Sequence, residues 1–362
     1  MSIKGNIGEW SEIYTLLKVL GDEKLYAGNE SLEKLKDLVY PVLKILRTEK
    51  NDEFEYSIDQ NVVFITSAGK QLLKLPVSDF AQKAQKTLEK ILENKKQKNT
   101  TFSIPEIENF MKQIHCSSIK ASSSQKTDIT IVIHDEKTKQ QPVLGFSIKS
   151  QLGSPSTLLN ASKATNFRFK IHGLNFDDIS VVNSIQNPNK IINRISKIKE
   201  IGGKLEFDKI NNSVFSNNLV LIDSSLPFIV SNILINFYEL NTSKLKELVE
   251  HLEELNPVGF DTSNNHRFYT YKIKKMLTDI ALGLTPAKVW TGQYDATGGY
   301  LVVKDDGDIL CYHLYNKNEF EEYLFSNTKL ETASTSKHSF GEVYEDSGCY
   351  YLNLNLQIRF LK

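Results

Sequence analysis

The chain has 362 residues, 40% of them hydrophobic and 24% charged, and its 44 Lys+Arg balance 44 Asp+Glu at zero formal charge. That length buries a substantial core and suits two domains or one large elaborated one, with the composition of an ordinary globular protein. Neutrality argues against a nonspecific nucleic-acid coat, but leaves room for a basic cleft balanced by acids elsewhere.

Three cysteines, Cys116, Cys311 and Cys349, have no CxxC spacing. An odd number so spaced points to buried free thiols rather than a disulfide framework or a zinc site. No basic segment followed by an apolar run opens the chain and no stretch approaches membrane-span length, so a cytoplasmic protein is expected.

From the N-terminus, Gly5 to Gly21 predicts an amphipathic helix, with Trp10, Ile13, Leu16, Leu17 and Leu20 at helical spacing. Glu9 and Glu12 are neighbours on one flank of it. Glu12 lies at the margin of the apolar stripe, where it can point into a cleft; the plainer reading is two solvated glutamates favoured by the helix dipole. Ser31 to Leu46 predicts a second helix, with Leu32, Leu35, Leu38, Val39, Val42 and Leu43 apolar. Asn61 to Ser67 reads as a strand and Pro76 to Leu92 as a lysine-rich helix. The polar run 93–101 reads as an exposed connection, and Ser103 to Ile114 as a helix opened by Pro105. The serine-rich stretch from Ser117 to Lys126 is loop-like.

Asp128 then opens a strand, Ile129, Ile131 and Ile133 on one face and Thr130 and Val132 on the other. Residues 134–141 read as a turn, and Val143 to Ile148 as a strand returning antiparallel. A register about symmetric across the turn brings Asp128 and Lys149 to the same end of the pair. An acid on one strand and a lysine on the next suit phosphodiester hydrolysis. The carboxylate holds Mg²⁺, which polarises the scissile phosphate, and the lysine supports the attacking water and the pentavalent charge. Gly153 and Pro155 end the strand, and Ser154 or Ser156 is expected to cap a helix carrying Leu158 and Leu159. The polar residues that follow, Ser150, Gln151, Ser154, Thr157, Asn160, Ser162, Lys163 and Asn166, are donors and acceptors suited to base edges and phosphates, or to ordinary capping. Gln151 could also serve a metal as a neutral oxygen ligand.

Segments 176–183 and 218–223 read as short strands, and Asn187 to Ile201 as a helix with Lys190, Arg194, Lys197 and Lys199 outward. Ser225 to Leu240 predicts a buried helix or dimer face, and Thr242 to Leu255 an amphipathic helix stopped by Pro257. His266 to Leu284 reads as a helix, basic and aromatic at its start. The last part is β-rich, with Asp305 to Asp308 as a hairpin turn rather than a calcium loop. Lys329, Ser334, Thr335, Lys337 and His338 lie in a polar loop that could read bases or be an ordinary connection.

The hairpin, with Asp128 and Lys149, resembles that of PD-(D/E)XK nucleases. The run GFSIKSQLGSPSTLLNASKATNF, the opening GEWSEIYTLLKVL and the stretches WTGQYDATGGYLVVKDDGDILCYHLYN and TKLETASTSKHSFG near the end resemble the HpaII family of type II restriction endonucleases. The resemblance implies an α/β (α+β) fold. A PD-(D/E)XK-like mixed-sheet core flanked by helices would occupy 1–175, and a helical and β-rich recognition region 176–362. It implies Mg²⁺ as cofactor, double-stranded DNA as substrate and CCGG as target. A homodimer would suit a palindromic site, and a cognate DNA methyltransferase would be the functional partner. The slot two residues before the lysine carries an acid in that pattern, and here it holds Ser147. Such enzymes often bring an extra metal-site glutamate from an N-terminal helix. Glu12, with Glu9 second, is therefore the candidate for the missing acid, and Ser147 a water-mediated ligand. Two other readings remain. Ser147 and Lys149 could form a Ser-Lys nucleophilic pair, although no nucleophile elbow surrounds Ser147. Alternatively, the protein binds DNA without cutting it.

Overall fold

The computed structural model describes residues 2–49, 52–120, 127–135 and 139–362. Residues 121–126 of the expected serine-rich loop and 136–138 of the expected turn lie outside the described residues. The chain begins with α1 (Ile7–Asp22), β1 (Lys24–Gly28), a long β2 (Lys34–Glu49) and the meander β3 (Asp52–Asp59), β4 (Val62–Ser67) and β5 (Lys70–Pro76). Then come α2 (Val77–Lys96), α3 (Pro105–Gln113) and the hairpin β6 (Ile129–Ile133) and β7 (Val143–Ser150). After β8 (Thr157–Leu159) and β9 (Asn166–His172) come α4 (Phe176–Asn183), α5 (Lys190–Glu200), β10 (Lys204–Ile210), α6 (Ser213–Ile222) and α7 (Leu226–Glu239). Next are α8 (Leu245–Leu255), α9 (Phe268–Leu282), β11 (Gly299–Val303), β12 (Ile309–His313) and α10 (Lys317–Ser326). The chain closes with β13 (Thr328–Leu330), α11 (Thr335–His338), β14 (Val343–Asp346), β15 (Cys349–Asn355) and β16 (Ile358–Phe360).

These elements form two units. The first comprises residues 1–156, 294–323 and 362, and holds a nine-stranded sheet ordered β1-β12-β11-β7-β6-β2-β3-β4-β5. Because β1 also pairs with β2, the strands β1, β12, β11, β7, β6 and β2 close into a circuit. Trp10, Ile13, Leu17 and Leu20 of α1 are buried in one core with Ile45, Ile129, Ile131 and Phe146 of the sheet. The second unit, 157–293 and 324–361, holds the sheets β10-β9-β15-β14 and β13-β16-β8 with helices α4 to α9. The whole is a mixed α/β fold. Among the described residues no single helix is long and apolar enough to cross a membrane. Cys116 and Cys311 are buried free thiols, while Cys349 is half-buried.

The helix expected over 31–46 is instead the strand β2, and the reason is local. Its buried positions are Tyr40, Val42, Ile45, Arg47 and Glu49, and the register against β6 shifts between Val42 and Lys44. That bulge inserts one residue and puts Val42 and Ile45 three apart, which imitates helical spacing in a two-residue repeat. Pro41 in the middle of the run is better tolerated in such a strand than in a helix interior. The helix expected to carry Leu158 and Leu159 is the short strand β8, held by pairing with β16 from the far end of the chain. Conversely, 176–183 is helical: Asn175 accepts from the Asp178 N–H and Asp178 reciprocates, a capping box that overrides Ile179, Val181 and Val182. Segment 218–223 falls mostly within α6, which Asn212 caps. Arg194, expected outward on α5, is fully buried, because its guanidinium donates to the carbonyls of Gly341 and of Asn183 (3.1 Å). The hairpin β6–β7 is antiparallel as expected, with Ile129 opposite Phe146. Residues 304–308 form the turn of the β11–β12 hairpin.

Candidate active site

With Ile129 opposite Phe146, Asp128 comes to lie opposite Ser147 at the end of the β6–β7 pair, and its N–H donates to the Phe146 carbonyl at 2.9 Å. One carboxylate oxygen, Oδ2, accepts from the Ser147 hydroxyl at 3.0 Å and from the Ile148 N–H at 2.7 Å. Hydrogen bonds to a charged acceptor contribute roughly 1.5–3 kcal/mol each, enough to outweigh the entropy of fixing so short a side chain. Lys149 Nζ donates to the same Ser147 hydroxyl at 3.0 Å. Ser147 is buried, and its one oxygen joins the acid on β6 to the amine on β7.

Glu12 reaches the same place from α1. The helix starts at a capping box in which Asn6 and Glu9 exchange hydrogen bonds. It is registered on β7 by the Ser11 hydroxyl, which donates to the Ile7 carbonyl at 2.7 Å and lies 2.9 Å from the Ser150 hydroxyl. The next residue, Glu12, lines a cleft of about 840 Å³ with Asp128, Ile148, Lys149, Ser150 and Ser154. Burial, and then the Asp128 carboxylate, push Glu12 up to about 7. Burial pulls Lys149 below the usual lysine range, opposed by the charges of Asp128 and Glu12. Two acids and an amine are thus held in partly dry surroundings that favour bringing in a cation.

Glu9 is elsewhere: its carboxylate is spent on the Asn6 N–H (2.8 Å) and on Lys120 (3.0 Å), and it does not line the cleft. The Asn6 backbone contact, then Lys120, lower its pKa against a raising effect of burial. Gln151 follows β7, its N–H donating to Val303 at 2.8 Å, and is likewise not part of the cleft lining. The run 93–101, expected as a solvated connection with phosphate contact as the second reading, supplies Lys95, Lys98, Asn99 and Thr100 to the cleft wall. Lys95 pairs with Asp305 at 3.0 Å. Lys98 is exposed and, among the described residues, forms no ion pair. The clustered lysines were the signal, but nothing in sequence said which way that connection faces.

The other predicted residues belong to the second unit. Thr157 of β8 and Lys329 of β13 both stand opposite Arg359 of β16, one on each side. Asn160 and Lys163 are exposed, as are Ser334 and Lys337, while Thr335 and His338 are half-buried. Asn166 is 3% exposed, and its amide nitrogen donates to the carbonyls of His338 (2.9 Å) and Ser339 (3.3 Å). It therefore holds a loop and has no edge to offer a base. Asn355 donates to Asn166 Oδ1 (2.6 Å) and to the Ser162 carbonyl (2.7 Å). Two polar stretches far apart in sequence, 160–165 and 334–339, are thereby knitted side by side.

Set against known proteins, residues 6–360 match the family model for HpaII restriction endonuclease. The chain is 49% identical over 358 residues to the Type II restriction enzyme HpaII of Haemophilus parainfluenzae, covering 99% of this chain and 98% of that one. No solved structure matches it.

Proposed function

The chain belongs to the HpaII restriction endonuclease family and is a type II site-specific deoxyribonuclease; from that premise we propose that it hydrolyses double-stranded DNA at the cluster of Glu12, Asp128, Ser147 and Lys149, with a divalent metal, at CCGG. The observation that carries this reading is the shared hydroxyl of Ser147, which holds Asp128 and Lys149 at one end of the hairpin while Glu12 lines the same cleft.

The donor set fits Mg²⁺. Carboxylate oxygens are its ordinary protein ligands, one or two of them, with the remaining positions left to water and phosphate oxygens. Among the described residues no group of three or more His, Cys, Asp or Glu is poised to hold an ion, which argues against a closed structural metal site. Asp128 and Glu12 would hold the metal, with Ser147 acting through a water. Bound there, the ion supplies charge neutralisation and Lewis acidity at the scissile phosphate. Ser147 and the Ile148 N–H fix Asp128 in one orientation, and Lys149 presents its ammonium to the developing phosphoryl charge. Lys95, Lys98 and Ser154 on the cleft wall are suited to the flanking phosphates. This arrangement supports a PD-(D/E)XK-type nuclease core in which a serine occupies one acid slot and a helix glutamate compensates.

Base reading is assigned to the second unit, chiefly to Thr157, Asn160, Lys163, Lys329, Ser334, Thr335, Lys337 and His338, with Ser150, Gln151 and Ser154 beside the site itself. A palindromic target suits a homodimer or two successive cuts, and a cognate methyltransferase protects the host. The 3.0 Å contact between Ser147 and Lys149 is what a Ser-Lys hydrolase would need. Ser147, however, is buried inside a strand and its proton is committed to Asp128. The nuclease reading is preferred for that reason.

The test is digestion of plasmid and phage DNA with and without Mg²⁺, followed by sequencing of the fragment ends. Discrete fragments ending in CCGG, formed only with metal, are expected. Asp128→Asn should slow cutting about a thousandfold or more while sparing DNA binding. Cutting by Asp128→Asn at the wild-type rate would displace the proposed site. An absence of cutting by the wild type in Mg²⁺ or Mn²⁺ would leave the reading of a protein that binds without cleaving.

A further inference from the structure

We propose that the ring face of Tyr300 seats the Lys149 ammonium, and that this cation–π contact holds the amine in position for the scissile phosphate. The inference rests on the reading of Lys149 as the group that meets that phosphate.

The strand β11 runs parallel to β7, with Tyr300 opposite Ser147 and Val302 opposite Lys149. Side chains two apart on a strand share a face, so Ser147, Lys149 and Tyr300 project from one side of the sheet. Lys149 Nζ lies 4.8 Å from the centroid of the Tyr300 ring, and its hydrogen bond to Ser147 is 3.0 Å. Among the described residues it forms no ion pair, so its direct contacts are a neutral hydroxyl and a π face. An ammonium drawn partly out of water and resting on a hydroxyl alone is costly. The negative face of an aromatic ring supplies attraction without engaging N–H donors one by one. Of the three donors on Lys149, one goes to Ser147, and the others remain for phosphoryl oxygens.

The ring is itself immobile. Tyr300 is 2% exposed and meets Phe320 edge-on, the ring centroids 5.4 Å apart. Before it stands Gly299 at φ +100°, where a Cβ would lie 2.1 Å from the Tyr312 carbonyl oxygen. The strand that carries the ring therefore starts from a backbone that glycine alone adopts without strain. Tyr300 acts on the reaction through the Lys149 ammonium that its ring face meets, so its role is positioning.

The test varies the ring's electrostatics at nearly constant shape. Tyr300 is replaced in the full-length protein by Phe, and then by phenylalanines with one, two and three ring fluorines. Steady-state kcat and KM are measured on a cognate oligonucleotide in Mg²⁺, with melting temperature as the folding control. Tyr300→Phe should stay within about threefold of wild type, and kcat should then fall stepwise by about thirtyfold across the series, with KM and Tm unchanged. A flat kcat across the fluorinated series overturns the proposal and makes the ring simple packing. Lys149→Met separates the two levels: if it is inactive while the series is flat, only the Tyr300 role fails. If it cleaves normally, the reading of Lys149 fails and takes this inference with it.

Discussion

At the scale of single residues, the two glutamates of α1 show how spacing alone leaves a choice that geometry narrows. Glu9 and Glu12 lie on one flank of α1, and spacing ranks Glu12 first, beside the apolar stripe, without excluding Glu9. In the folded chain Glu9 completes the capping box with Asn6 and pairs with Lys120, whereas Glu12, one turn on, lines the cleft. Substitution should therefore separate stability from activity. Glu9→Ala should cost about 1 kcal/mol of stability through the lost cap and leave cleavage nearly intact. Glu12→Gln should keep the melting temperature and slow cutting by about a hundredfold or more. Thermal melts and single-turnover cleavage on the two variants suffice, and the reverse pattern would move the second acid to Glu9. Asp128 and Lys149 were legible because a short hairpin fixes both from local pattern. Tyr300 was not, because a parallel neighbour half the chain away leaves no trace in the wording around Lys149.

Between elements, β12 meets β7 through His313. It is 1% exposed, its ring packs edge-on against Phe146, and its Nδ1 accepts the Tyr315 N–H at 2.9 Å. The neutral ring therefore carries its proton on Nε2. Burial lowers its pKa from 6.5 to about 4, opposed by Asp135. Between those values the unfolded chain binds a proton that the folded one refuses. The stability contributed is full above pH 6.5 and is lost as pH falls toward 4, by up to about 3 kcal/mol. Urea unfolding at pH 7 and pH 4.5 should show a smaller acid loss in His313→Asn, whose amide oxygen can accept the same N–H. Equal losses in variant and wild type would mean that other groups carry the acid sensitivity. The elements most open to sequence reading were those with local signals, such as α1, α2, β6 and β7. The misread ones, β2, β8, α4 and α6, were decided by a bulge, by a partner strand from the chain's end, or by caps that outweigh β-branched residues.

For the whole molecule, the unit that holds the candidate site is not contiguous in sequence. Residues 1–156 supply α1 and the hairpin, but 294–323 supply β11 and β12, and β11 is the neighbour of β7 on the side away from β6. Without that return, β7 becomes an edge and the circuit through β1 and β12 opens. Five buried residues of β11, Gly299 to Val303, would leave with it, and Leu144 and Phe146 would lose part of their cover. An open, apolar edge in the middle of a core is a site for aggregation rather than a folded boundary. A fragment of residues 1–175, which is the N-terminal division suggested by chain order, should therefore unfold without a cooperative transition. It should be digested rapidly by protease and fail to cut DNA in Mg²⁺, although it contains Glu12, Asp128, Ser147 and Lys149. Circular dichroism melting and limited proteolysis of the fragment beside the full chain test this directly. A cooperative melt together with metal-dependent cutting would show that the hairpin and α1 carry the chemistry unaided. The parallel strand, and the tyrosine on it, would then be dispensable to it.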